Sequence, residues 1–376
     1  MDDYRRHRRN WRVLYALVHR WICRKFNMTH EDLHVEGPVL LVPNHVCAWD
    51  PLLVAMSLRE KQVYYVASEH LFRLGFVTRL IDRLVAPIPR RKASLGTDTV
   101  KACLRHLRAG HSVCIFGEGA QCWDGRPLPL FPGTGKLAKV SDASLVTYRI
   151  EGGYLSLPRW GRGVRRGRVH GHPVNVYSPE QLKGMTAAEV DAAIARDIAE
   201  DAWERQRQSP VVYRGRNPAE GLERAMYLCP GCRRIGSLRT RGERIYCDCG
   251  LSLRYTGTGF FDPDTPFATI ADWEDWQRET LHARSFAHGD LFFSDGDIRL
   301  SRVGVDHGEE RLGSGTLAQY EDRLVWAERV FPLGEISSMS IVRTHLLMFT
   351  YRGEYYELRS ESGANLRKYL EIWEET

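Results

Sequence analysis

The chain has no apolar run near the ~18 residues a membrane-spanning helix needs, so no segment is expected to cross a bilayer. No apolar h-region with a small-residue cleavage site opens it, so no secretion is expected. The protein is therefore expected on the cytoplasmic side. There is no internal repeat and no low-complexity tract, which excludes a solenoid or a disordered tether. Charge is unevenly shared. The net charge is +6 over 376 residues, but the part from Leu251 onward carries −9 and residues 1–250 carry +15. A basic front half suits an anionic membrane surface, an acidic carrier protein, coenzyme A phosphates or nucleic acid. The acidic rear half argues against whole-chain nucleic-acid binding. The length predicts two or three domains.

The apolar run Val39-Leu40-Leu41-Val42 reads as a buried strand, and Asn44-His45-Val46-Cys47-Ala48-Trp49-Asp50 follows it directly. His45 then lies at the carboxyl end of a strand, where α/β sheets place their chemistry. Asp50-Pro51 reads as the N-cap and first position of a helix reaching Met56 or Leu58. The turn folds the carboxylate back towards the imidazole, leaving the other ring nitrogen to take a proton from a hydroxyl. By spacing alone the pair also fits a core histidine and an ordinary capping aspartate. A second strand, Ser112–Phe116, leads into Gly117-Glu118-Gly119-Ala120, whose glycines let backbone N–H groups approach a ligand.

The two segments together resemble the glycerolipid acyltransferase family that includes the 1-acylglycerol-3-phosphate acyltransferases. The family's Asn-His-x4-Asp motif is matched at Asn44, His45 and Asp50. Its Phe-Pro-Glu-Gly-Thr-Arg-Ser motif is matched at Phe116, Glu118 and Gly119 only. Between them the family carries an arginine, supplied here by Arg90 after Ala86-Pro87-Ile88-Pro89, with Arg91 and Lys92 beside it. The departures are Gly117 for proline, Ala120 for threonine and Gln121 for arginine, and 142–148 lacks both prolines of the family's fourth motif. The resemblance implies that His45 is the general base and Asp50 its orienting partner. It implies an acceptor site at Asn44, Arg90, Glu118, Gly119 and Gln121, with Arg90 on an anionic headgroup. The reaction implied is transfer of a fatty acyl group from acyl-CoA or acyl-carrier protein to a lysophospholipid hydroxyl in phospholipid biosynthesis. Charge-assisted bonds are roughly twice as strong as neutral ones, so Gln121 keeps a non-phosphorylated lipid acceptor open. A third reading is a zinc-ribbon binding protein on an inactive acyltransferase scaffold, which intact His45 and Asp50 oppose.

Four of the nine cysteines cluster as Cys229-Pro-Gly-Cys232 and Cys247-Asp-Cys249-Gly250. Two such knuckles suit structural zinc with four thiolate ligands, against a disulfide or free thiols. Cys47 and Cys122 lie near the catalytic motifs, but the pattern needs a base and no thiol nucleophile. At the N-terminus Trp11, Leu14, Tyr15, Val18, Trp21, Ile22 and Phe26 recur at helical spacing opposite arginines, which fits a peripheral membrane helix or a helix packed on the protein's own core.

The predicted organisation is a basic amphipathic membrane-interface helix (1–28), an α/β acyltransferase domain with a mixed sheet flanked by helices (29–210), a zinc ribbon (222–256) and a β-rich, pleckstrin-homology-like domain (265–376). In the second of these, helices are expected at 51–58, 70–84, 97–109 with Thr97 as N-cap, 134–141 and 186–206, the last opened by a Thr186/Glu189 capping box. In the tail, Asp295-Gly296 and Arg352-Gly353 are read as turns between strands.

Overall fold

A computed structural model describes residues 3–68, 83–90, 96–283, 289–304 and 308–374. All but the last two residues of the expected 70–84 helix, together with Arg91 and Lys92, lie outside the described residues. The chain divides into two compact units, Met1–Arg159 with Gly163–Gly215, and Trp160–Arg162 with Arg216–Thr376.

The first unit is built on a seven-stranded mixed sheet. Its strands are β1 (Met28–His30), β2 (Val39–Pro43), β3 (Val63–Ser68), β4 (Ile88–Arg90), β5 (Ser112–Cys114), β6 (Ser144–Glu151) and β7 (Val169–Tyr177), in the order β1-β7-β6-β2-β5-β3-β4. All neighbours run parallel except β6 and β7. Every residue of β2 is buried, as expected for a central parallel strand covered on both faces. Because β2 and β5 are parallel neighbours, the loops after them leave on the same edge.

Helix α1 (Asp3–Phe26) buries His7, Trp11, Ile22 and Phe26 against this unit. α2 spans Asp50–Ala55, shorter than expected, and Asp50 is its first helical residue rather than the N-cap; Trp49 takes that place without a side-chain cap. α3 (Thr97–Arg108) likewise begins one residue earlier than Thr97 as N-cap would give, with Gly96 at the cap. α4 (Thr134–Val140) and α5 (Gly153–Ser156) follow, then α6 (Pro179–Gly184). The Thr186/Glu189 capping box is present, but the helix it opens, α7 (Ala187–Ile198), stops at Ala199. Asp201 then caps a separate helix, α8 (Ala202–Gln208), through the N–H groups of Trp203 and Glu204.

The second unit contains a four-stranded antiparallel sheet, β8 (Arg239–Arg241), β9 (Arg244–Tyr246), β10 (Ser252–Tyr255) and β11 (Phe261–Asp262). Helix α9 (Ile270–His282), opened by a Thr269/Asp272 capping box, leads to a second antiparallel sheet. This sheet comprises β12 (Leu291–Val303), β13 (Glu309–Tyr320), β14 (Arg323–Trp326), β15 (Arg329–Pro332), β16 (Ile336–Val342), β17 (Leu346–Tyr351) and β18 (Glu354–Ser360), in the order β15-β14-β13-β12-β18-β17-β16. α10 (Arg367–Glu374) ends the unit with Tyr369 fully buried. Arg352-Gly353 is a turn with two positive φ values. Asp295-Gly296 is not: β12 continues through it as a bulge against β13, with Asp297 at φ 56°.

Candidate active site and candidate metal centre

His45 leaves the carboxyl end of β2, and the 46–50 turn brings Asp50 back to it. Asp50 is fully buried. Its Oδ2 lies 2.8 Å from His45 Nδ1 and accepts the main-chain N–H groups of Val46 at 2.6 Å and Cys47 at 2.9 Å. The carboxylate is thus occupied by the turn and the imidazole, which explains why it does not cap its own helix. Among the described residues no partner meets the other ring nitrogen of His45. The ring stacks on Phe116 at a centroid distance of 4.3 Å. This fixes one face of the imidazole while its side chain stays 18% exposed. The Cys47 thiol donates to Asp50 Oδ1 at 3.1 Å. Burial, then the Asp50 charge, pushes that thiol well above its ordinary pKa, so it is a hydrogen-bond donor here and no thiolate nucleophile.

Glu118 comes from the loop after β5 and joins the two motif loops. Its carboxylate accepts the main-chain N–H of His45 on one oxygen and that of Leu128, at 3.0 Å, on the other. Burial pushes its carboxyl up to about 7, against the pull of those two donors. Gly119 has φ +71°, and a Cβ there would lie 3.5 Å from Arg90 Nη2 and 3.3 Å from the Phe131 ring. The glycine therefore lets Arg90 close on the turn, with its guanidinium 4.9 Å over Phe131. Gln121 offers its carbonyl to Arg159 Nη1 at 3.0 Å.

Arg159 stacks 4.1 Å over Trp123. The fold carries this cation, from the basic loop 159–168, back to Gln121, where the family motif has arginine. Asn44 is directed elsewhere. Its amide donates to Ile150 O at 3.0 Å and accepts from Ile150 N–H at 2.7 Å, tying the end of β2 to β6. The structure thus brings His45, Asp50, Glu118 and Gly119 together with Arg90 beside them, and spends Asn44 on the sheet.

All nine cysteines are free thiols. Cys229, Cys232, Cys247 and Cys249 converge with their sulfurs within 4.8 Å of one another. Two of the Sγ–Sγ separations are 3.6 and 3.7 Å. A tetrahedral ion with metal–sulfur bonds of about 2.3 Å would set them at about 3.8 Å, so the cluster fits a metal ion. Gly231 carries no Cβ, and one built there would come within 3.1 Å of Cys249 Sγ.

Residues 25–151 match the family described as Acyltransferase. This segment is an acyltransferase domain. It covers about a third of the chain and holds both motif loops. Among solved structures the chain is similar to the 1-acyl-sn-glycerophosphate (LPA) acyltransferase PlsC from Thermotoga maritima, at 16% identity and TM-score 0.41, over 50% of this chain and 77% of that one. A second likeness is to a chain of the 8S snRNP assembly intermediate, at 17% identity and TM-score 0.17, over 24% of this chain and 85% of that one. The family match, and neither of these two likenesses, carries the assignment of the acyltransferase domain. Among the described residues no helix is long and apolar enough to cross a membrane.

Proposed function

We propose that the acyltransferase domain moves a fatty acyl group from acyl-CoA or acyl-carrier protein to the hydroxyl of a lysolipid with an anionic headgroup, on the cytoplasmic face of a membrane, as a step of phospholipid biosynthesis. The observation that carries this reading is the His45–Asp50 pair with one imidazole nitrogen held and the other unpartnered among the described residues. That nitrogen takes the acceptor's hydroxyl proton as the oxygen attacks the thioester carbonyl. Asp50 stabilises the imidazolium, which returns the proton to the departing thiolate. Loop N–H groups near Gly119 are the oxyanion donors. Arg90 and Arg159 flank the 119–121 turn and offer the charge for a phosphate that Gln121 lacks.

Membrane association is supported by the outer side of α1. Val13, Leu17 and Trp21 are 56%, 72% and 52% exposed, spaced four apart on a helix rich in arginine. Lys25 bridges the Trp21 and Trp49 rings at 5.0 and 4.9 Å. Trp49 directly precedes Asp50, so this exposed strip runs to the catalytic turn. Of the apolar stripe read from the sequence, Trp11, Ile22 and Phe26 face the core and Trp21 stays exposed, so the membrane reading rests on Trp21 with Val13 and Leu17 beside it. The four-cysteine cluster is read as structural zinc, because four thiolates leave no open position. In this reading the chain runs as an interface helix (1–28), a catalytic domain (29–210), a ribbon (222–256) and a β-rich domain (265–376).

The test is acyl transfer from labelled acyl-CoA by the intact protein to lysolipids with and without a phosphate, read by mass spectrometry, with His45→Ala as the control. Phosphate-bearing products made only by the unaltered protein are expected. Undiminished turnover by folded His45→Ala overturns the mechanism, and products from neutral acceptors alone overturn the headgroup.

A further inference from the structure

We propose that His19, Cys23 and His30 form a second metal site, one that binds a single divalent ion of the zinc class and leaves one coordination position open. His19 and Cys23 stand one turn apart on α1, and His30 ends β1, the edge strand that follows. The two Nε2 atoms face each other at 2.8 Å, and Cys23 Sγ lies 3.7 Å from His19 Nε2. All three donor atoms fall within 4.8 Å of one another.

A tetrahedral zinc ion, with bonds of about 2.0–2.1 Å to nitrogen and 2.3 Å to sulfur, sets its ligands about 3.3 Å (N–N) and 3.6 Å (N–S) apart. The sulfur is already at that range from His19 Nε2 and within 4.8 Å of His30, and the rings need to part by about half an ångström, which side-chain rotation supplies. His30 Nδ1 lies 3.4 Å from Asp32 Oδ1, at ion-pair range, and makes no hydrogen bond as it stands, so a small ring rotation would complete that contact. A carboxylate behind a ligating imidazole is the arrangement that fixes the ring and raises its basicity at zinc sites. Tyr15 stacks on the His19 ring at 4.8 Å and holds it in place. Two imidazoles and one thiolate are too soft and too few for magnesium or calcium and suit zinc, with a water in the fourth position. The ion would bind the last turns of α1 to the edge of the sheet, behind the exposed strip of that helix.

The intact chain is stripped with a chelator and titrated with zinc alone. Two readouts are taken: alkylation of each cysteine, mapped by mass spectrometry, and metal content per chain. Mapping by residue separates this site from the four-cysteine cluster. Zinc should slow alkylation of Cys23 by about tenfold or more, and His30→Gln should abolish that protection while Cys229 stays protected. Asp32→Asn keeps all three ligands and should weaken the zinc dependence about 10- to 100-fold, so the idea remains testable if His30→Gln does not fold. His19→Gln/Cys23→Ser should remove one ion per chain. Alkylation of Cys23 at one rate with and without zinc, or unchanged metal content in the double variant, would overturn the site and leave an imidazole–imidazole hydrogen bond.

Discussion

Asp50→Asn should stop acyl transfer without unfolding the protein, whereas Asp50→Ala should damage both. Asparagine can keep an oxygen where Oδ2 now accepts from Val46 N–H at 2.6 Å, Cys47 N–H at 2.9 Å and His45 at 2.8 Å. The turn therefore survives, but the negative charge that steadies a protonated imidazole is gone. Loss of that partner in a hydroxyl–imidazole–carboxylate system costs on the order of 10²–10⁴-fold in turnover. Alanine removes the acceptor altogether and leaves two buried main-chain donors unpaired. At about 1–3 kcal/mol each, the turn loses about 2–6 kcal/mol, a large part of the roughly 5–15 kcal/mol that holds a domain together. Initial rates of thiol release from acyl-CoA, with lysolipid as acceptor, measure the first effect, and thermal unfolding measures the second. An asparagine variant with the unaltered melting temperature and turnover within about threefold of the parent would refute the assigned role of Asp50.

Glu118 prefers its protonated form in the fold, so its contribution to stability is complete below its ordinary value of 4.5 and is lost as the pH climbs through about 7. That loss amounts to about 3 kcal/mol, and unfolding curves from pH 4 to 8 should slope downward less steeply in Glu118→Gln than in the parent; parallel slopes refute it. Val13→Ser/Leu17→Ser/Trp21→Ser should lower partitioning onto anionic vesicles by tenfold or more with the fold intact, because each such side chain returned to water costs roughly 1–3 kcal/mol; equal sedimentation with vesicles ends the claim. Cys229→Ser/Cys232→Ser should cost one zinc ion per chain by elemental analysis, and chelation of the parent should melt the ribbon before the catalytic domain. Unchanged zinc content would count against it.

The His45–Asp50 contact and the central strands were legible because they depend on local chemistry. Val39–Val42 is apolar on both sides of the pleat, and an Asn-His-x4-Asp turn closes within seven residues. The Thr186/Glu189 capping box was legible for the same reason. Features decided by competition were not. Asp50 has two uses open to it, a helix cap or a turn acceptor, and the turn offers more donors. Asp201 restarts a helix that propensity alone would run through, because its carboxylate satisfies two N–H groups there. At Asp295-Gly296 the long pairing of β12 with β13 overrides a local turn signal by absorbing extra residues as a bulge. The positions of Arg159 and Asn44 depend on partners dozens of residues away in sequence, on Gln121 and Ile150, and no local spacing announces them.

The glycine at 117 has a consequence for how this loop can vary among relatives. A Cβ there would stand 2.8 Å from Leu130 Cδ2 and 3.2 Å from Val42 Cγ1, and Phe131 N–H closes onto the Gly117 carbonyl at 2.7 Å. The tip of the Leu130 side chain stands in the volume that a proline ring would need. Proline at 117 in this chain would therefore require the Leu130 side chain to move, two residues from the Leu128 N–H that holds Glu118. Homologues with proline at this position are expected to carry a smaller residue where Leu130 stands, or a differently routed segment. The residues at 117 and 130 are expected to covary in size.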